Sequence, residues 1–337
     1  MKKNETKKMF DADDRKGIIE ISSTCVKALV GSVNQRKHEK KTWKYATSLG
    51  EDASEAEIES FMLELNYLMK KALFWSRSQS AVVGYCYLSG ECATDRKYPR
   101  IREHLAENFK NLKVMKMAPV DEIVYSYYSH LMLQEEGAVC RGLTAVAEIS
   151  HSALGVGVFE NGRLLRFESF PELGMRRLEE YFDGVGKPDA TGCYNRCLDK
   201  YYSECVNCLK GRFNGDGHIP SLIICGGAPK ALIVGEKPFH SAEGLIRTPE
   251  AIKGRAAQYL AVYDGMLSSG MDMENLRCNL HHSKMTSGLL SSILILAMME
   301  FWHLNETLFF GQRSIESFFQ SLYNDRFWIT MANRISE

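Results

Sequence analysis

Two acids stand at matching places in a motif that occurs twice. Near its start the chain reads Gly17-Ile-Ile-Glu20-Ile-Ser22-Ser23-Thr24-Cys25-Val-Lys-Ala-Leu-Val-Gly31. Further on it reads Thr144-Ala-Val-Ala-Glu148-Ile-Ser150-His151-Ser152-Ala-Leu-Gly155-Val-Gly-Val-Phe159. Each copy is an apolar run, Glu-Ile-Ser, small polar residues and a second apolar run, which predicts a strand, a tight turn carrying an acid, and a second strand. One such hairpin opens each half of the chain. The pair suggests a duplicated nucleotide- or phosphate-binding fold, with serine in both turns where such loops usually have glycine.

The elements that must position these turns follow the same duplication. Strands are predicted at 17–22, 25–33 and 41–48, then a helix from Ser54 or Glu55 to about 73 with Leu63, Leu65, Met69 and Leu73 among its apolar positions. A buried strand at 81–88, a helix near 99–109, a short strand at 113–117 and a helix opened by Pro119 and Asp121 complete the first half. The second half starts over with strands at 143–150, 153–159 and 163–170. Helices are expected at 174–183, 190–212, 248–268 and 283–302. Strands at 221–225 and 307–310 and a helix from Ser314 to about Tyr323 close the chain.

Composition narrows the function classes. In 337 residues Lys+Arg and Asp+Glu are both 42, so bulk charge gives no argument for nucleic acid or an anionic membrane. The longest apolar stretch, Leu289 to Trp302, contains two serines and Glu300, and reads as a buried helix rather than a membrane span. The polar, charged first residues lack the apolar core of a secretory signal. With 10 cysteines, reduced thiols and a cytoplasmic location are expected. Four of them, Cys193, Cys197, Cys205 and Cys208, would hold Zn²⁺ if their thiolates converged. On a single helix, however, they share one face with Tyr194, Leu198, Tyr201 and Leu209, which reads as core. His281-His282 reads as a helix-start or surface feature.

The order of motifs resembles the exopolyphosphatase / guanosine pentaphosphate phosphatase (Ppx/GppA) family, within the actin–Hsp70–sugar-kinase superfamily, over about residues 15–325. Glu20-Ile-Ser-Ser-Thr-Cys25 stands for that family's Asp-Ile-Gly-Ser-Asn-Ser loop, and Glu148-Ile-Ser-His-Ser-Ala-Leu-Gly155 for its Asp-Ile-Gly-Gly-Gly-Ser-Thr-Glu. The best-kept segment is Ser169-Phe-Pro-Glu-Leu-Gly174-Met-Arg-Arg177-Leu-Glu-Glu180, similar to Ser-Leu-Pro-Leu-Gly-x-x-Arg-Leu-x-Glu with one residue inserted. Ile224-Cys-Gly226-Gly227-Ala-Pro-Lys-Ala-Leu232 resembles the Gly-Thr-x-x-Ala-Leu segment. Pro119-Val-Asp121-Glu122-Ile-Val-Tyr resembles the helix start that supplies the family's general base.

The resemblance implies two ribonuclease-H-like (actin-like) α/β domains with a cleft between them. A flexible charged arm would occupy 1–15, the first domain 16–135 and the second 136–337, with the last helix free to pack back on the first. It implies Mg-assisted hydrolysis of a terminal phosphate of polyphosphate or a guanosine penta-/tetraphosphate. Glu20 and Glu148 would hold Mg²⁺, a hard cation that prefers oxygen ligands. Glu122, with Asp121 beside it, would activate water. Ser22, Ser23, Thr24, Ser150, His151, Ser152, Gly174, Arg177, Gly226 and Gly227 would line the phosphate or nucleotide, through backbone N–H groups in the turns and the helix start after Gly174. A homodimer is the implied assembly. The departures point another way. Ser22 and Ser150 resist positive φ, Gly155 replaces the second loop's terminal acid, and Cys92, beside Glu91, replaces a phosphate-gripping Arg. These favour a catalytically silent relative that binds a nucleotide or a regulatory partner. The Ser169–Glu180 match argues against an ATP-using member of the superfamily.

Overall fold

The computed structural model describes residues 15–32, 38–133, 142–184, 190–213, 218–227, 229, 232, 245–269, 280–310, 314–324 and 326–334. Residues 1–14, most of the expected charged arm, and the side chains of His281 and His282 lie outside the described residues. The chain divides into two units, Met1–Ala118 with Phe318–Phe327, and Pro119–Ser317 with Trp328–Glu337.

The first unit runs β1 (Arg15–Ile21), β2 (Cys25–Ser32), β3 (Glu39–Lys44), α1 (Glu55–Ser78), β4 (Val82–Leu88), α2 (Tyr98–Asn108) and β5 (Lys113–Lys116). Its five-stranded sheet has the order β3-β2-β1-β4-β5. β1, β2 and β3 form an antiparallel meander, whereas β4 and β5 run parallel to β1. This is the ribonuclease-H arrangement. α1 begins at a capping box, with Ser54 and Glu57 satisfying each other's backbone donors. Its Ile58, Leu65, Met69 and Ala72 pack with Ile19 and Ile21 of β1, Val26 and Ala28 of β2, and Ile101 and Leu105 of α2. β1 is buried on both faces from Gly17 to Ile21, and the 318–327 segment contributes a second layer. There Phe318 meets Tyr87 edge-on at 5.1 Å, and the Tyr323 hydroxyl donates to Gly17 O at 2.9 Å.

The second unit opens with α3 (Pro119–Leu133), then β6 (Leu143–Ile149), β7 (Leu154–Glu160), β8 (Arg163–Phe170), α4 (Met175–Gly184), α5 (Ala190–Cys197) and α6 (Ser203–Phe213). It continues with β9 (Leu222–Gly226), β10 (Leu245–Arg247), α7 (Pro249–Ser268), α8 (Leu280–Phe301) and β11 (Thr307–Phe309). α9 (Ser314–Tyr323) and α10 (Phe327–Arg334) end the chain. The sheet order is β10-β11-β9-β6-β7-β8. Its meander β6-β7-β8 and its parallel strands β9 and β11 repeat the first unit's topology, and β10 adds an antiparallel edge. β10 and α10 were not foreseen, being three and eight residues long without a strong periodic signal. The sequence assigns α3 to the first domain, but its contacts are with β6, β7 and β8. Glycine explains this docking. A Cβ on Gly157 would come within 2.5 Å of Ile123 Cγ2, so only a bare backbone lets α3 lie so close to β7.

The expected helix over 190–212 is interrupted by a π-helical turn at Leu198–Tyr202. Cys193, Cys197 and Cys205 are buried in the second core, and Cys208 is half-buried with its thiol 3.4 Å from Glu172 Oε1. Burial pushes the Cys197 thiol up to about 12, and burial with the Glu172 contact pushes Cys208 up to about 11. Among the described residues no group of three or more His, Cys, Asp or Glu is placed to hold a metal, and no helix is long and apolar enough to cross a membrane. The apolar run of α8 is instead core, with Leu289, Leu290, Ile293 and Leu294 fully buried.

Candidate functional site

The repeated motif folds into two turns with the same hydrogen bonds. In the first, Ser22 N–H donates to Cys25 O (3.0 Å), the Ser22 hydroxyl donates to the same oxygen (3.1 Å), and Cys25 N–H donates to Ser22 Oγ (3.3 Å). In the second, Ser150 N–H and its hydroxyl donate to Ala153 O (3.1 and 2.9 Å), and Ala153 N–H donates to Ser150 Oγ (3.2 Å). The serines therefore close the turns themselves. Neither has positive φ; among described non-glycine residues only Ser80, Asn161 and His303 do. The expected backbone strain at Ser22 and Ser150 is thus corrected: a hydroxyl bridge replaces the left-handed conformation. The amides of Ser23, Thr24 and Ser152 make no hydrogen bond among the described residues.

The two acids differ in what meets them. Glu20 of β1 lies opposite Lys27 of β2, and the Lys27 ammonium forms an ion pair with Glu20 Oε1. Glu148 of β6 lies opposite Gly155, which offers no side chain. Its Oε2 accepts instead from the Ser126 hydroxyl of α3 at 2.6 Å. Glu122 sits one helical turn before Ser126, on the same face of α3. Asp121 is its neighbour around the helix, and both acids are half-buried in the first turn, where they also favour the helix dipole. The second unit thus brings Glu122, Ser126, Glu148 and the Ser150–Ala153 turn to one end of its sheet. As a Mg²⁺ pair the two acids do not fit: an ammonium already neutralises the Glu20 carboxylate.

The start of α4 closes against the second turn. A Cβ on Gly174 would fall 2.5 Å from Ser152 C and O and 2.8 Å from Ala153 N. Only glycine allows this approach. The Met175 and Arg176 amides then donate to Ser150 O (3.1 Å) and His151 O (3.0 Å). The helix start expected to bind an anion is therefore capped by the turn's carbonyls. The Arg177 side chain is exposed, and its carbonyl accepts from the Tyr201 hydroxyl at 3.0 Å. Gly226 ends β9 with φ +104°, and a Cβ there would fall 2.6 Å from Ile149 O, so it is needed for the close pairing of β9 and β6. Gly227 follows, exposed.

At the end of β4 the Ser89 amide donates to Ile21 O at 2.9 Å, and a 3-10 turn follows at Gly90–Ala93. Cys92 is fully buried in the core there. Glu91 Oε2 is 3.0 Å from Lys97 Nζ, a side chain only 1% exposed that also donates to Glu51 O at 2.8 Å. The Glu91 charge is thereby compensated within the unit.

No protein-family model matches the sequence, and no curated protein does. Solved structures do. The Ppx/GppA phosphatase of Aquifex aeolicus matches with a TM-score of 0.64 and 16% identity over 91% of this chain and 98% of that one. An exopolyphosphatase of Cytophaga hutchinsonii matches with a TM-score of 0.67 and 14% identity, covering 92% and 98%. This chain has the Ppx/GppA fold. An exopolyphosphatase-like protein sharing 8% identity shows the same likeness, with a TM-score of 0.63 over 91% of this chain.

The second unit places Glu148, Ser150, His151, Ser152 and Gly226 at the carboxyl ends of β6 and β9, with Gly174 packed on Ser152, and carries Glu122 on α3 and Arg177 on α4. The first unit holds Glu20, Ser22, Ser23 and Thr24 at the corresponding end of β1. Lys27, Ser126 and Gly157 were not foreseen as site residues. Lys27 had a signal: a turn closed by residues 22 and 25 sets position 20 opposite 27. Ser126 had only its spacing from Glu122.

Proposed function

We propose that this protein is a phosphohydrolase of the Ppx/GppA kind that removes a terminal phosphate from polyphosphate or a guanosine penta-/tetraphosphate. The Ser126–Glu148 hydrogen bond carries this reading, because it ties the α3 face bearing Glu122 to the acid and turn of the second motif. Glu122 accepts a proton from water, and the water oxygen attacks the terminal phosphorus. The bond from phosphorus to the bridging oxygen breaks, and its electron pair leaves with the shortened chain. The Ser152 amide supports the phosphate oxygens, with the exposed Arg177 within the same unit. No step uses Mg²⁺, since the paired acids do not fit it.

A second reading is favoured by three observations: the Lys27 ion pair, the Ser22 and Ser150 hydroxyls folded into their turns, and the capped start of α4. It is a catalytically silent relative that binds a phosphorylated ligand. Phosphate release from polyphosphate and from guanosine pentaphosphate, with Mg²⁺ and with chelator, tests both. Release that falls about 100-fold or more in Glu122→Gln supports the hydrolase. No release, with a raised melting temperature on adding guanosine tetraphosphate, overturns it in favour of the silent binder.

A further inference from the structure

The two copies of the motif have diverged at one position, the residue across the hairpin from the acid. In the first copy it is Lys27 and in the second Gly155. Directly opposed residues on neighbouring antiparallel strands project from the same face, so Glu20 and Lys27 meet without any rearrangement of the chain. Val26 and Ala28 on either side of Lys27 are buried in the sheet, which fixes the backbone from which the lysine reaches. The pair is largely removed from water, with the side chains of Glu20 and Lys27 only 9% and 19% exposed. Charges so placed interact more strongly than they would at the surface.

We infer that the Lys27 ammonium takes the place of a divalent cation at Glu20, so that the first unit's copy of the motif is a metal-free one. A Mg²⁺ ion at Glu20 would have to sit beside an ammonium or displace it. The first choice sets like charges together. The second leaves a lysine charge without its partner in a site mostly closed to water. Mg²⁺ also gives up its hydration reluctantly and favours sites with several oxygen donors. The second copy works differently. Gly155 brings no side chain toward Glu148, whose Oε2 accepts from the neutral Ser126 hydroxyl. The repeated motif thus sets its acid against an ammonium in the first copy and against a hydroxyl in the second.

This inference concerns the free protein and stands apart from whether phosphate is turned over. Binding of Mn²⁺, followed by electron paramagnetic resonance, tests it on the full chain, Glu20→Gln, Lys27→Met and the double variant. Wild type and Glu20→Gln should bind Mn²⁺ alike. Lys27→Met should gain a site about tenfold tighter or more, and Glu20→Gln added to it should remove that gain. Lys27→Gln, which keeps a donor toward Glu20, serves if Lys27→Met fails to fold. Mn²⁺ binding by wild type that Glu20→Gln abolishes, or folded Lys27 variants that gain no site, would overturn the inference.

Discussion

Replacing Gly174 by alanine should loosen the junction between the second turn and α4. The added Cβ would lie 2.5 Å from both the carbonyl carbon and oxygen of Ser152 and 2.8 Å from Ala153 N. These are backbone atoms of a turn already held by the Ser150 hydroxyl, so they cannot swing aside as a flexible side chain would. Overpacking of this kind costs about 1–3 kcal/mol. Backbone strain adds nothing, because Gly174 has φ −67° and ψ 145°, a conformation alanine adopts freely. The stiffer unfolded chain returns about 0.4–1 kcal/mol. A net loss of about 1–2 kcal/mol is expected, or about 2–8 °C in melting temperature for a unit of this size. The damage is local as well as global. Hydrogen exchange at the Met175 and Arg176 amides should quicken, since their acceptors Ser150 O and His151 O would be pushed away. Gly254→Ala is the control. It lies within α7 with nothing within 4 Å of its Cβ, and alanine there should stabilise by about 0.5–1 kcal/mol. If Gly174→Ala melts at or above wild type, as Gly254→Ala should, the close approach of turn and helix is not what glycine serves.

Other outcomes follow from the same geometry. Lys97→Met should destabilise by about 3 kcal/mol in urea titration, because it leaves Glu91 charged in a site only 13% exposed. Glu91→Leu added to it should recover part of that loss. Ser22→Ala and Ser150→Ala should each cost about 1 kcal/mol, and by similar amounts, because the two hydroxyls make the same bonds. Unequal costs beyond about 1 kcal/mol would break the equivalence of the turns. Stability should fall on acidification from about pH 6.5 toward pH 4. Burial holds His130 down to about 4, and burial with the Lys40 charge holds His38 down to about 4. The unfolded chain therefore binds more protons in that window, and the contribution is present above it and lost below. Urea titrations of His38→Gln and His130→Gln across that window should show a flatter profile than wild type.

Much of the architecture was legible because periodicity and turn chemistry are local. The meanders, the parallel strands at 82–88 and 222–226, and most helices follow from apolar spacing and the breaks at glycine and proline. Short elements escaped because Leu245–Arg247 has too few residues to show a period, and pairing with β11 makes it a strand. The π turn at Leu198–Tyr202 escaped because a single extra residue in a helix leaves no compositional mark. The place of α3 escaped because its anchor is a missing side chain on another strand, Gly157.

The site divides along the same line. The sequence alone determined that an acid ends the first strand of each half, that serine follows it two residues on, and that Glu122 opens a helix. Identity and order along the chain suffice for that. What each group meets was decided only in three dimensions. The strand register set Lys27 on Glu20 and left Glu148 facing a glycine, and α3 then supplied Ser126 to it. The serines that seemed to strain their turns proved to bridge them, because a hydroxyl within reach of a carbonyl and an amide three residues on removes the need for a left-handed backbone. Whether a carboxylate is neutralised by an ammonium or held by a hydroxyl depends on contacts across the sheet, and those exist only once the chain has folded.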